Sequence, residues 1–288
     1  MGVPLSRWWT ALCVITAVSS ACSREQAEPS WIGELGYSPA EVAPLHIGLY
    51  GYPFVDLAIN GSLHRLALDT GNMTGLLLSP EVAKTLNLPA IDTSRQFDSA
   101  GKVVATADVF HIETLEAFGS VWHDQKAHEF ELTGVSGLIG PKYLLGGRFT
   151  LDYLGGMMAV SGTPTPGISS AIALPMIRSP DHEALILVGG WVNSEWTTVE
   201  IDTGKSRTVV DTAMVQKLAM PETPDGFRVD DIRLGSFRYS ASSAKEKSFA
   251  GISHGLEVPI GLGVGSDILS KVILTVDYRA GVVLLLPR

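Results

Sequence analysis

Two apolar, strand-like stretches of this chain follow the same plan. Phe54 to Gly71 reads as a strand, a turn at Asn60-Gly61, a second strand and then the triplet Asp69-Thr70-Gly71. Ala184 to Gly204 repeats it and ends Trp196-Thr197-Thr198-Val199-Glu200-Ile201-Asp202-Thr203-Gly204. A short helix is predicted soon after each triplet. Leu76-Leu77-Leu78 leads into Ser79-Pro80, a helix cap with proline at the first helical position, and an apolar-periodic run through Leu86. Val209-Val210 leads into Asp211, the cap of a run through Leu218.

The two halves also end alike. Gly137-Leu138-Ile139-Gly140 leads to Phe149-Thr150-Leu151-Asp152-Tyr153, and Gly263-Val264-Gly265 leads to Ile273-Leu274-Thr275-Val276-Asp277-Tyr278. The glycine-to-aspartate separation is 12 positions in both. Ser161 to Ser170, rich in Gly, Pro, Ser and Thr, marks a linker. The middles differ: Asp69 to Gly119 spans 50 positions, and Asp202 to Gly235 only 33. The extra segment, Gln96 to Val109, reads as a hairpin turning at Ser99-Ala100-Gly101-Lys102. Ala244 to Pro259, polar and Gly-containing, is expected as a surface loop. Such internal repetition points to two similar units.

The start of the chain resembles an export signal. Arg7 precedes an apolar run of 11 residues, Trp8 to Val18, and the small residues Ser19-Ser20-Ala21. The run is too short to span a bilayer as a helix. Cys22 follows directly, as in bacterial lipoproteins, whose cysteine is lipidated after cleavage, although Ser19 stands where Leu or Val is usual. Lipidation at Cys22 and ordinary secretion are both open. Residues 22–43 are expected to be a tether. Cleavage would leave one of the two cysteines, so no intrachain disulfide is expected, and 30 acidic against 20 basic residues. That balance argues against nucleic-acid binding.

The duplicated Asp-Thr-Gly, the later apolar-apolar-Gly and the closing Asp-Tyr strand resemble the retropepsin-like and pepsin-like aspartic proteases. The similarity runs from roughly Gly48 to Leu286. It implies an all-β, bilobal fold with the cleft between lobes at 44–162 and 173–288, joined by 163–172 after a signal segment at 1–21. It also implies one flap, from the N-terminal lobe, with Ser99, Ala100, Gly101 and Lys102 at its tip, and an intramolecular dyad in a monomer. Asp69 and Asp202 would be catalytic, with Thr70 and Thr203 cross-linking their loops. Gly71 and Gly204 would let the backbone turn sharply beside them.

The chemistry follows from two carboxylates held close, which cannot both ionise readily and share a proton. One takes a proton from water as it attacks a peptide carbonyl, and the other donates to the carbonyl oxygen. No cofactor or metal is expected, because the histidines, including His123 and His128, lack ligand spacing. The partner is a polypeptide, in the periplasm, at the cell surface or outside the cell. The chain departs from the family after each triplet, with Asn72 and Lys205 in place of Ser, Thr or Ala. Asn72 is expected to donate to a carboxylate. Lys205 puts a cation beside the dyad or points to solvent. A non-catalytic peptide-binding lipoprotein with this fold is the alternative reading.

Asp152 and Asp277 read as structural turn residues, and Trp122, Trp191 and Trp196 as core or cleft-wall residues. Gly261-Leu262-Gly263-Val264-Gly265 lacks the dinucleotide spacing. Ser242-Ser243-Ala244-Lys245 lacks the companion motifs of serine-lysine enzymes.

Overall fold

The computed structural model describes residues 29–131, 134–179 and 182–288. Residues 1–21 and Cys22, expected as export signal and lipidation site, lie outside them. The first half contains β1 (Val42–Pro44), β2 (His46–Ile47), β3 (Pro53–Ile59), β4 (Ser62–Leu68), β5 (Leu76–Leu78), β6 (Ala90–Phe97), β7 (Val103–Ala117), β8 (Ser120–Glu129), β9 (Gly137–Ile139), β10 (Arg148–Asp152) and β11 (Met157–Ser161). The second contains β12 (Ile172–Pro175), β13 (Leu187–Val192), β14 (Glu195–Ile201), β15 (Val209–Asp211), β16 (Glu222–Thr223), β17 (Gly226–Leu234), β18 (Phe237–Lys247), β19 (Ile260–Val264), β20 (Val272–Asp277) and β21 (Val282–Pro287). Helices are short: α1 (Ser30–Glu34), α2 (Pro80–Thr85), α3 (Thr212–Lys217), α4 (Ala250–Leu256) and α5 (Ser266–Leu269).

The protein is mostly β. One sheet runs β2-β3-β4-β9-β5-β8-β7-β6 and a second runs β13-β14-β19-β15-β18-β17-β16, so from β3 and β13 onward the order is the same strand for strand. Each also closes on itself by a further pairing, β3 with β7 and β13 with β17. The third sheet, β1-β11-β10-β20-β21-β12, takes strands from both halves. At its centre Thr150 faces Thr275 across β10 and β20, with their hydroxyls 2.7 Å apart.

Local chemistry explains the turns and caps. The β3–β4 turn places Asn60 and Gly61 at positive φ, the geometry that matches strand twist in a two-residue hairpin. Ser79 Oγ accepts the Val82 N–H at the start of α2, and Asp211 accepts the Ala213 N–H at the start of α3. Both halves bury apolar strand faces, including Leu66, Leu68, Ile139, Ile201, Leu262 and Val264.

Three expectations need correction. The described part of the tether is folded: Trp31, Ile32, Leu35 and Tyr37 are buried against Ala159, Ile273 and Leu284 of the third sheet. Trp31 Nε1 donates to Asp152 Oδ2 at 3.0 Å, and the buried Arg148 guanidinium donates to the Leu35 and Gly36 carbonyls after α1. Polar residues around these few large apolar ones hide their contribution to packing. Second, Ala244 to Pro259 is the end of β18 followed by α4, pinned by the fully buried Phe249 and by Leu256. Third, Trp191 and Trp196 lie outside the core, opposite each other near the end of the β13–β14 hairpin and 42 % and 52 % exposed.

Asp152 and Asp277 are buried turn residues. Asp277 accepts from Ala280 N and from Thr165 N and Oγ1, so the linker is tied down. Among the described residues no helix is long and apolar enough to cross a membrane.

Trp31→Ala should lower unfolding stability by about 3–5 kcal/mol, the usual cost of deleting a buried aromatic. Urea denaturation checks this; an unchanged midpoint would mean that the segment before β1 contributes nothing to the packed core.

Candidate active site

Each Asp-Thr-Gly lies in the turn leaving an inner strand, β4 in one sheet and β14 in the other. The two turns are built alike. Asp69 N–H donates to the Ile139 carbonyl of β9 and Asp202 N–H to the Val264 carbonyl of β19, both at 3.0 Å. Gly71 N–H donates to Asp69 Oδ1 at 2.9 Å, and Gly204 N–H to Asp202 Oδ1 at 2.8 Å. Each carboxyl is thus oriented by its own turn.

The threonines join the turns. Thr70 N–H donates to Thr203 Oγ1 and Thr203 N–H to Thr70 Oγ1, both at 3.0 Å. Each hydroxyl then donates across the interface, Thr70 to the Ile201 carbonyl at 2.8 Å and Thr203 to the Leu68 carbonyl at 2.5 Å. Both threonines are fully buried, so these four bonds carry their full value.

The structure brings Asp69 and Asp202 together, each carboxyl lying against the glycine of the other's triplet. Gly71 and Gly204 make that approach possible, but not through an unusual φ. A Cβ on Gly71 would lie 2.6 Å from Asp202 Oδ2, and one on Gly204 2.3 Å from Asp69 Oδ1. Each glycine leaves room for the opposite carboxyl. Gly140 and Gly265 do the same one layer out, since a Cβ there would strike the Asn72 or Lys205 carbonyl.

The two carboxyls have different neighbours. Burial, then the charge of Asp202 and the hydrogen bond to it, push Asp69 well above the usual carboxylate range; Lys205 and the Gly71 N–H only partly oppose this. Lys205 does not point to solvent. Its ammonium contacts Asp202 Oδ2 and lies 2.7 Å from Glu200 Oε2. Burial alone would lower the Lys205 pKa, but Asp202 and Glu200 more than offset it, and it stands above its ordinary value. Glu200 is 2 % exposed and is pushed up by burial, with Lys205 pulling the other way.

Asn72 does not donate to a carboxylate. Its Nδ2 donates to the Gly75 carbonyl and its Oδ1 accepts the Thr74 N–H, so the side chain closes its own loop. Glu200 is the residue that sequence reasoning missed. The available signal was an acidic residue between the apolar Val199 and Ile201, five residues before a lysine.

The hairpin at Ser99 to Lys102 is present between β6 and β7. Its tip touches the second half of the chain: the Ser99 carbonyl accepts the Gly251 and Ile252 N–H groups, and Ser99 Oγ donates to the Ser248 carbonyl at 2.8 Å. The second half retains a remnant of that hairpin, the two-residue β16 paired with β17. A groove of about 930 Å³ lies elsewhere, lined by Val42, Ser120, Trp122, Tyr143 and neighbours but by neither aspartate. Among the described residues no group of His, Cys, Asp and Glu could hold a metal ion.

Residues 55–146 match the family model for aspartyl proteases, a span that includes Asp69, Thr70 and Gly71 but stops before the second triplet. No curated protein matches the chain. The matched region supports an aspartyl protease.

Thr203→Val should cost roughly 2–4 kcal/mol, because it removes one donor and leaves the buried Thr70 N–H without its acceptor. Chemical denaturation measures this. A change below about 0.5 kcal/mol would show that the cross-link is energetically idle.

Proposed function

We propose that this chain is an aspartic endopeptidase whose two Asp-Thr-Gly turns, one from each half, form a single active site. The observation that carries the reading is the reciprocal Thr70–Thr203 cross-link, which holds two carboxyls face to face. The matching strand order of the two large sheets supports a duplicated, bilobal layout with the dyad at the junction. The β6–β7 hairpin, bonded at its tip to α4, fits a flap that closes over an extended peptide. Residues 1–21 and Cys22 support export, with a lipid anchor as one form of it, and a complete dyad within one chain suits a monomer.

In this mechanism one carboxylate removes a proton from a water molecule as its oxygen bonds to the peptide carbonyl carbon. The other carboxyl donates its proton to the carbonyl oxygen, and collapse of the tetrahedral species breaks the C–N bond as the nitrogen is protonated. The substrate backbone would add to the hairpin as an extra strand. A non-catalytic peptide binder remains a second reading, favoured by the contact of Lys205 with Asp202 and by Asn72 turning away from the carboxyls.

Asp69→Asn and Asp202→Asn should each abolish cleavage of a diverse peptide mixture while both proteins keep the wild-type melting transition. Full activity in either variant would sink the dyad. Peptide binding without turnover by the wild type at every pH would favour the binder.

Removing Asp98 to Val103 should depress kcat/KM at least tenfold with a smaller effect on stability, because a flap orders substrate and excludes water. An unchanged kcat/KM would remove the hairpin from the account.

A further inference from the structure

The two halves match closely around their aspartates, so the places where they differ are informative. Two residues before Asp69 stands Ala67, paired with Leu138 of β9. The corresponding positions in the second half are Glu200, paired with Gly263 of β19. Three residues after the aspartates stand Asn72 and Lys205. The fold is therefore satisfied on one side by Ala, Leu and Asn, and nothing in strand pairing asks for Glu, Gly and Lys on the other.

Those three residues form one construction. A Cβ on Gly263 would lie 2.9 Å from Val209 Cγ2, 3.0 Å from Phe249 Cζ and 3.1 Å from Lys205 Cε, so the glycine leaves room for the valine, the ring and the lysine stem together. The fully buried Phe249 covers it, with the ammonium 5.5 Å from the ring centre. The ammonium then sits between Glu200 Oε2 and Asp202 Oδ2. The other titratable groups acting here are Asp69 across the dyad, Lys247 of β18 on Glu200, and Tyr153 beyond Asp202. No second lysine reaches either dyad carboxyl by a hydrogen bond among the described residues.

We propose that Glu200 is a positioning residue that, through Lys205, decides where the dyad's shared proton resides: Asp202 is held ionised as the base that takes the water proton, and Asp69 carries the proton given to the carbonyl oxygen. This deepens the protease reading and rests on it. An ammonium touching one of two coupled carboxyls breaks their equivalence, because it favours the ionised form of the nearer one. Without Glu200 the flexible lysine would lose its second anchor, and its full charge would act on the dyad alone.

The opposite signs of two substitutions test this. The acid limb of kcat/KM reports protonation of the singly protonated pair. Glu200→Gln removes an anion near Asp202 and leaves Lys205 unopposed, so the limb should move to lower pH by about 0.5–1 pH unit. Lys205→Met should move it to higher pH by about 1 pH unit or more. A residue with a merely structural role would weaken activity without moving the limb in a sign-specific way. Should Lys205→Met fail to fold, the isosteric Glu200→Gln still decides the matter.

The same variants of the full chain, labelled with ¹³C in Asp and Glu carboxyls and titrated by NMR, give the answer independently of turnover. Asp69 should be the dyad carboxyl that keeps its proton to the higher pH in the wild type, and Glu200→Gln should change that titration. Cleavage by the wild type with superimposable limbs and carboxyl titrations in Glu200→Gln would overturn the proposal while leaving the protease reading intact. Absence of cleavage by the wild type would overturn the protease reading, and the NMR titration of Asp69 would still decide the placement of the proton.

Discussion

The reciprocal Thr70–Thr203 cross-link is the contact on which the site depends. Neither sheet can place two carboxyls together by itself, since each supplies one aspartate in one tight turn. Four buried hydrogen bonds, two from backbone N–H groups and two from hydroxyls, tie those turns into one unit. Burial raises the Asp69 pKa most, and the enforced proximity of Asp202 raises it further. Thr150 and Thr275 form a second threonine pair further back, hydroxyl to hydroxyl, where β10 meets β20 in the sheet shared by the halves. The junction is thus held at two levels, by paired threonines at both.

Much of this was legible in the sequence. The Asn60-Gly61 turn, the caps Ser79 and Asp211, the hairpin at Ser99 to Lys102 and the paired triplets are local signals, and local signals survive without coordinates. The glycines that close the triplets were legible as positions but not as reasons. Their role depends on the opposite carboxyl, which lies 131 positions from Gly71 and 135 from Gly204. The role of Trp31 was hidden for the same reason, because its partner Asp152 is 121 residues distant. Phe249 looked like one apolar residue in a polar loop, and only its place between β19 and Lys205 shows why it is there.

Asymmetry carries the remaining information. In the first half Ala67, Leu138 and Asn72 make an apolar or self-contained environment around the turn, and in the second Glu200, Gly263 and Lys205 make an ionic one. Burying three charged groups is costly unless they are paired closely, and here the lysine meets both carboxylates. The hairpin tip belongs to the same neighbourhood. Ser99 bonds to the Ser248 carbonyl, and the next residue, Phe249, covers the lysine. The contact of the hairpin tip and the setting of Lys205 therefore share one short segment before α4.

The central claim is that two carboxyls, forced together by the threonine cross-link, share a single proton. Neutron diffraction from deuterium-exchanged crystals grown near neutral pH locates that proton directly. The account predicts one deuteron in the dyad, on Asp69, with Asp202 bare and three deuterons on Lys205 Nζ. A dyad with both carboxyls deuterated, or with neither, would contradict it.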